Sequence, residues 1–195
     1  MENITDNQFT EWSQAIKNGD KESYSNFFRA CYEHYVRFAY RYVKSKDQAC
    51  DLVQEAFIKL WKNRENLDPA KSLKSYMFTI IRNLSLNHIR DHKNKLESID
   101  DREISLDALI IHQEQNTNDS YIEQTVKVIK KLIKKLPERQ REAFELSRFD
   151  GLQHDEIAEV MNISARTVNN HIVSACNTLR EEYEILNRRD IEIAL

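Results

Sequence analysis

Hairpins and sheets need turn residues, and this chain has almost none: two glycines and two prolines in 195 residues. Tight hairpin turns depend above all on Gly at positive φ, and a β fold of this length would need many of them. The apolar residues also recur at three- and four-residue spacing almost throughout, not in alternation. The fold class that follows is all-α. A content of 41% hydrophobic and 31% charged residues supports one sizeable core or two small ones.

The clearest helix runs from Asp51 to Trp61 and carries two faces. Leu52, Val53, Ala56, Phe57, Leu60 and Trp61 form the wide apolar stripe of a helix packed on a core. Asp51, Gln54, Glu55 and Ile58 recur at i, i+3, i+4 and i+7 on the other side. That second face is acidic and amide-bearing with one exposed isoleucine, and it is a candidate docking surface.

Charge divides the chain. Residues 22–95 hold 14 basic and 8 acidic side chains, residues 96–123 hold 1 and 8, and residues 124–195 hold 12 of each. The predicted organisation is two small helical domains, 22–95 and 124–186, joined by an acidic connector over 96–123 whose composition suits a flexible tether. A leader (1–21) with Phe9, Trp12 and Ile16 spaced for one helical turn precedes them, and a tail (187–195) follows. No apolar run approaches the roughly 20 residues of a membrane span, and the acidic start lacks a signal-peptide pattern, so a cytoplasmic protein is expected. Cys31, Cys50 and Cys176 are an odd, widely spaced set in helical patterns, which predicts reduced and mostly buried thiols. His88 and His92 stand four apart, but no third residue at ligand spacing completes a metal site; neither metal nor cofactor is expected.

In the first domain a long helix over 22–44 places Tyr24, Phe27, Phe28, Cys31, Tyr35, Phe38, Ala39 and Tyr42 along one face, and Arg37, Arg41 and Lys44 along another. Ser45 to Asp47 reads as a turn and N-cap, and Pro69 as a break. A further helix from near Ser72 puts Leu73, Tyr76, Met77, Ile80, Ile81 and Leu84 inward, with Phe78, Thr79 and Arg82 pointing elsewhere. The polar stretch from Arg82 to Ser85 predicts a kink or short loop. Asn87 to Lys95 then offers cationic and amide groups suited to phosphate.

The second domain opens with Ile122, Val126, Ile129, Leu132 and Ile133 on one face. Pro137 starts a helix whose buried side is Ala143, Phe144 and Leu146, and Asp150-Gly151 ends it. Ile157, Ala158, Met161, Ile163 and Val168 then have helix-turn-helix spacing, with Ser164 capping a second helix over 165–180. Arg166, Asn169, Asn170 and His171 cluster near its N-terminus, where a recognition helix meets base edges.

These motifs, in this order, resemble the extracytoplasmic-function sigma factors, minimal members of the sigma-70 family of bacterial transcription initiation factors. The segment 51–61 is similar to their region-two helix that binds the β′ clamp helices of RNA polymerase. The segment 75–83 resembles the approach to the loop that captures a flipped base of the minus-ten element. Residues 136–144 and 157–172 resemble region four, which binds the minus-thirty-five element and the β flap. The likeness spans about residues 22–183. It implies core-polymerase binding by Asp51, Gln54, Glu55 and Ile58; minus-ten contacts by Arg82, Asn83, Ser85, Asn87, His88 and Arg90; and minus-thirty-five contacts by Ser164, Arg166, Thr167, Asn169, Asn170, His171 and Ser174. It also implies promoter DNA, double-stranded and melted, and an anti-sigma factor as partners, with no small-molecule substrate. Many family members carry arginines after the position of Thr167-Val168, whereas amides and His171 stand here. The chain lacks a phosphate-binding glycine loop, a His-Glu-x-x-His or a carboxylate cluster, so no enzymatic activity is expected. A free-standing helix-turn-helix repressor explains 157–180 but leaves the 51–61 helix without a role, and a nuclease built on His88 and His92 is weaker still.

Overall fold

A computed structural model describes residues 4–96 and 120–193. Among the described residues every regular element is helical, as turn-residue scarcity requires. The chain divides into two compact units, each considered by itself.

The first unit contains α1 (Asp6–Lys17), α2 (Lys21–Val43), α3 (Lys46–Lys62), a 3-10 turn (Arg64–Asn66) and α4 (Leu73–Leu96). Polar caps set the starts. Thr5 caps α1. Asp20 accepts from the amides of Glu22 (3.1 Å) and Ser23 (3.2 Å) at the start of α2. Ser72 accepts from Ser75 N at 3.1 Å at the start of α4. The Ser23 side chain and these two amides hold the Asp20 carboxyl below the ordinary carboxylate range. That contribution is present above the ordinary carboxylate pKa and is lost as acid protonates the cap. Gly19 takes φ +85 to close α1, while α2 ends on Lys44 at φ 56, a left-handed position filled without glycine.

The leader is more than one turn. Phe9, Trp12 and Ile16 are buried along the three-turn α1. Trp12 and Phe9 lie 5.5 and 6.2 Å from Phe27. From Phe27 a chain of rings continues through Phe57 (5.4 Å) and Tyr35 to Phe78 (5.2 Å from Tyr35) and Phe38 (4.7 Å from Phe78). Edge-to-face pairs of this kind add about 0.5–1.5 kcal/mol each beyond burial. Cys31 lies in this core, where burial pushes its thiol up to about 12. Cys50 and Cys176 are half-buried, and all three thiols are free.

Two expectations for α4 are corrected. The inward stripe is Leu73, Met77, Phe78 and Ile81, whereas Tyr76, Ile80 and Leu84 are only half-buried. The apolar spacing admits two helical frames, and the one that seats Phe78 between Tyr35 and Phe38 wins, although it also takes Lys74, Arg82 and Ser85 inward. The helix is also unbroken from Leu73 to Leu96. Asn83 and Ser85 are weak helix formers by only about 0.5–0.7 kcal/mol each, and no Gly or Pro stands nearby to force a break.

The second unit contains α5 (Ser120–Lys135), α6 (Glu138–Arg148), α7 (His154–Met161) and α8 (Ala165–Ile193). The acidic tether falls mostly on 97–119, outside the described residues; α5 begins at Ser120, within the span given to the connector. Of the expected face of α5, Leu132 and Ile133 are buried while Val126 and Ile129 are exposed, and the Ile122 side chain lies outside the described residues. Pro137 is the N-cap of α6, one residue before its first turn, with φ −52. Phe144 is half-buried, and Ala143 and Leu146 form the buried side. Gly151, at φ +65, lets Leu152 N reach Leu146 O at 3.1 Å and closes α6. Asn162 at φ 54 supplies the tight turn between α7 and α8. Ile157, Val160, Met161, Val168, Ile172 and Ala175 then form the shared core of that pair. α8 continues to Ile193, well past the recognition segment.

Candidate nucleic-acid and partner interfaces

On α3 the apolar stripe is buried against α2 and α4, and this fixes what faces outward. Asp51, Gln54, Glu55 and Ile58 are all exposed, with Ile58 at 50%. Glu55 pairs with Lys59 at 3.0 Å, a solvent-screened i, i+4 contact. Gln54 is held from behind by a residue the sequence did not single out for this face. The Tyr32 side chain on α2 hydrogen-bonds those of Cys50 and Gln54, and burial first, then the Cys50 bond, raises the phenol above its ordinary range. Only a cross-helix contact reveals this role, and helical periodicity is blind to it.

The six minus-ten candidates do not share a face. Asn83, Asn87 and Arg90 are exposed at i, i+4 and i+7 on α4, making one polar stripe. Arg82 (8% exposed) and Ser85 (0%) point into the unit, and His88 lies at the boundary with its ring 4.4 Å from that of His92. Among the described residues no three His, Cys, Asp or Glu side chains are grouped to hold a metal. The Ser85 hydroxyl is buried without a hydrogen-bond partner among the described residues. Ser85→Ala should therefore leave stability unchanged or raise it by up to about 1 kcal/mol, since it deletes an unsatisfied group and improves helix propensity. Thermal unfolding checks this, and a loss above that size would show that the hydroxyl is bonded.

The start of α8 is fixed by side-chain capping. Ser164 Oγ accepts from Thr167 N at 3.1 Å and lies 2.8 Å from Thr167 Oγ1, so both hydroxyls are occupied in capping α8. Arg166, Asn169, Asn170 and Ser174 are exposed, and His171 is half-buried beside them. Val173 (49% exposed) and Asn177 complete the same stripe, extending i, i+3, i+4, i+8 from Arg166 to i+7 and i+11. Sequence reasoning stopped at the polar cluster and passed over both; continuing the spacing along the helix finds them.

Comparison with known proteins agrees with this division. Residues 27–95 match Sigma-70 region 2, and residues 127–179 match Sigma-70 region 4. The chain is 26% identical over 174 residues to the ECF RNA polymerase sigma factor SigW of Bacillus subtilis (strain 168), covering 86% of this chain and 92% of that protein. It is also 26% identical over 194 residues to the ECF RNA polymerase sigma-E factor of Escherichia coli (strain K12), covering 96% and 99%. In fold it is similar to the sigma factor RpoE, solved in complex with the anti-sigma factor NepR from Bartonella quintana. That match has a TM-score of 0.66 and 22% identity over 84% of this chain and 98% of that one. With region 2 on the aromatic helical unit and region 4 on the helix-turn-helix unit, this chain belongs to the sigma-70 family as an ECF RNA polymerase sigma factor.

Proposed function

We propose that the exposed face of α3, Asp51, Gln54, Glu55 and Ile58, docks on the β′ clamp helices of core RNA polymerase. The second unit engages the β flap and places α8 in the major groove of the minus-thirty-five element. The stripe Asn83, Asn87 and Arg90 on α4 lies along the separated non-template strand of the minus-ten element, where capture of unstacked bases offsets part of the unpairing cost. Sigma factors are transcription initiation factors, and bond formation belongs to the polymerase. The observation that carries this reading is the unbroken exposed stripe on α8 from Arg166 to Asn177, presented by a capped helix-turn-helix. Arg82, buried in α4, acts from within the unit rather than on the strand, and Ser164 and Thr167 act by setting where α8 begins. No helix among the described residues is long and apolar enough to cross a membrane, which suits action in the cytoplasm. The RpoE–NepR complex supports restraint by an anti-sigma factor as the mode of control.

The test is in vitro transcription with core polymerase over a random promoter library. Enrichment of two elements spaced as minus-ten and minus-thirty-five is the expected result, and absence of promoter-selective transcripts overturns the reading. Within that assay Asn169→Ala or Asn170→Ala should change base preference in the minus-thirty-five element by about 1–3 kcal/mol, because amides read adenine edges. Arg166→Ala should weaken binding across sequences, as a phosphate contact does. Val173, the apolar member of the stripe, suits a thymine methyl. Replacing thymine by deoxyuridine at one position should weaken the native protein but leave Val173→Ala indifferent. Amide variants with intact discrimination would remove α8 as the reader.

A further inference from the structure

Among its described side chains, α5 is covered toward its C-terminal end and open toward its start. Leu132 and Ile133 are buried, whereas Ile129 and Val126, about one and two turns back from Ile133, are 40% and 42% exposed. At about 100° per residue Val126 and Ile129 fall on either side of Ile133, so the exposed pair continues a stripe that the rest of the unit covers only at its far end. Lysines border this stripe. Lys130, Lys131 and Lys134 are exposed, and none has a carboxylate partner among the described residues.

We propose that this face is a docking surface for the chain's own connector: residues 106–111 pack on Val126 and Ile129, and the carboxylates before them meet the α5 lysines. The occupant is identified by its own sequence and attachment, independently of the face. Outside the described residues the chain offers only 1–3, 97–119 and 194–195, and of these only 97–119 is long enough to cover two helical turns. Its one concentrated apolar run is Leu106, Ala108, Leu109, Ile110 and Ile111, interrupted by Asp107 alone. The reach is sufficient. Residues 112–119 join that run to Ser120 and span up to about 27 Å when extended, against about 9–14 Å from Ser120 to Val126 and Ile129 along the helix. A run that turns back from Ser120 travels along α5 toward Lys135, so Asp100, Asp101 and Glu103, which precede it, come beside Lys130 and Lys134. Charge favours the same pairing: residues 97–119 hold seven acidic side chains and one basic, and α5 holds five lysines and one glutamate. Tethering makes the contact intramolecular, at an effective concentration in roughly the millimolar range, so a small apolar patch is enough. The docked run also shields a patch that would otherwise favour self-association.

The experiment is hydrogen exchange on the full chain, read at the backbone amides of residues 124–131. Leu106→Ser/Leu109→Ser/Ile110→Ser should speed exchange there about tenfold, as when a helix gives up one packed face. Val126→Ser/Ile129→Ser should do the same, since serine, valine and isoleucine have similar helix propensity and only the contact is lost. The two sets combined should add nothing further, because each removes the same contact. Lys130→Glu/Lys134→Glu should also speed exchange at low salt, and Asp100→Lys/Asp101→Lys/Glu103→Lys in the same chain should restore protection, both effects fading as salt screens the charges. Unaltered exchange at Val168 and Ile172, in the buried core of the unit, verifies folding in each variant. Native exchange in the connector variant, or additive effects of the two apolar sets, overturns the inference. Protection of 124–131 that rises with protein concentration and ignores the connector assigns the face to a second copy. Exchange that ignores the connector and slows only when phosphatidylglycerol vesicles are added assigns it to a lipid surface. Either of these results also overturns the inference.

Discussion

Phe78→Ala should destabilise the first unit by about 3–5 kcal/mol, the usual cost of emptying a fully buried phenylalanine site. Phe78 is 0% exposed and meets Tyr35, Phe38 and His34 at ring separations of 5.2, 4.7 and 5.9 Å, so truncation removes several edge-to-face contacts and leaves a cavity they cannot readily close. Ile80→Ala, two residues away and only half-buried, should cost about 1 kcal/mol. The comparison decides between the two helical frames available to α4. Both tryptophans of the chain, Trp12 and Trp61, lie in the first unit, so their fluorescence during urea unfolding reports this unit alone. An Ile80 variant that is costlier than the Phe78 variant would restore the frame with Ile80 inside.

Alanine at Gln54, Glu55 and Ile58 together should reduce affinity for core polymerase on the order of a hundredfold, about 2–3 kcal/mol, as expected when an apolar anchor and its polar rim are removed from a docking face. Stability should barely change. All three side chains are exposed, and the Glu55–Lys59 pair that is lost is of the i, i+4 type, worth about 0.3–0.5 kcal/mol. Binding of labelled protein to core polymerase, paired with the tryptophan unfolding curve, reads both quantities. Native affinity in a folded triple variant would remove the α3 face from the proposal. A companion Tyr32→Phe variant asks whether the hydroxyl that orients Gln54 contributes through preorganisation; its effect should vanish in the Gln54→Ala background.

The sequence was most legible where one physical signal dominated. The stripe of α3 from Leu52 to Leu60, the caps at Ser45 and Ser164 and the helix-turn-helix core at Ile157 to Val168 each rest on spacing plus a cap, and each is found where spacing places it. Legibility failed where signals conflicted. On α4 an apolar count favoured Tyr76, Ile80 and Leu84, but counting does not weigh one large ring against several smaller side chains, nor see that Phe38 and Tyr35 wait opposite Phe78. The same blindness affects the site. Spacing could bring Asn83, Asn87 and Arg90 together, yet it could not reveal that Arg82 and Ser85 share the core with Phe78. Propensity overestimated the weakness at Arg82–Ser85, because tertiary burial of Ile81 and its neighbours outweighs the small local penalties. Tyr32 was assigned no part in the α3 face because its bond to Gln54 crosses between helices.

The uninterrupted α4 has a mechanical consequence. At 24 residues it is a rod of about 36 Å, and among its described side chains the buried ones lie between Leu73 and Ser85, roughly the first half. From Asn87 to His92 its side chains are exposed except for His88, so that half is a cantilever: clamped at one end, held at the other by its own backbone bonds. A clamped beam transmits force to its root. A load applied at Asn87 or Arg90 would therefore be felt at Arg82 and Phe78, inside the aromatic core, and the exposed stretch from Asn87 to His92 can unwind with little loss of tertiary packing because few of its side chains are packed. The break that composition suggests is absent from the free helix, yet it lies near the root of the beam, where bending under load would concentrate.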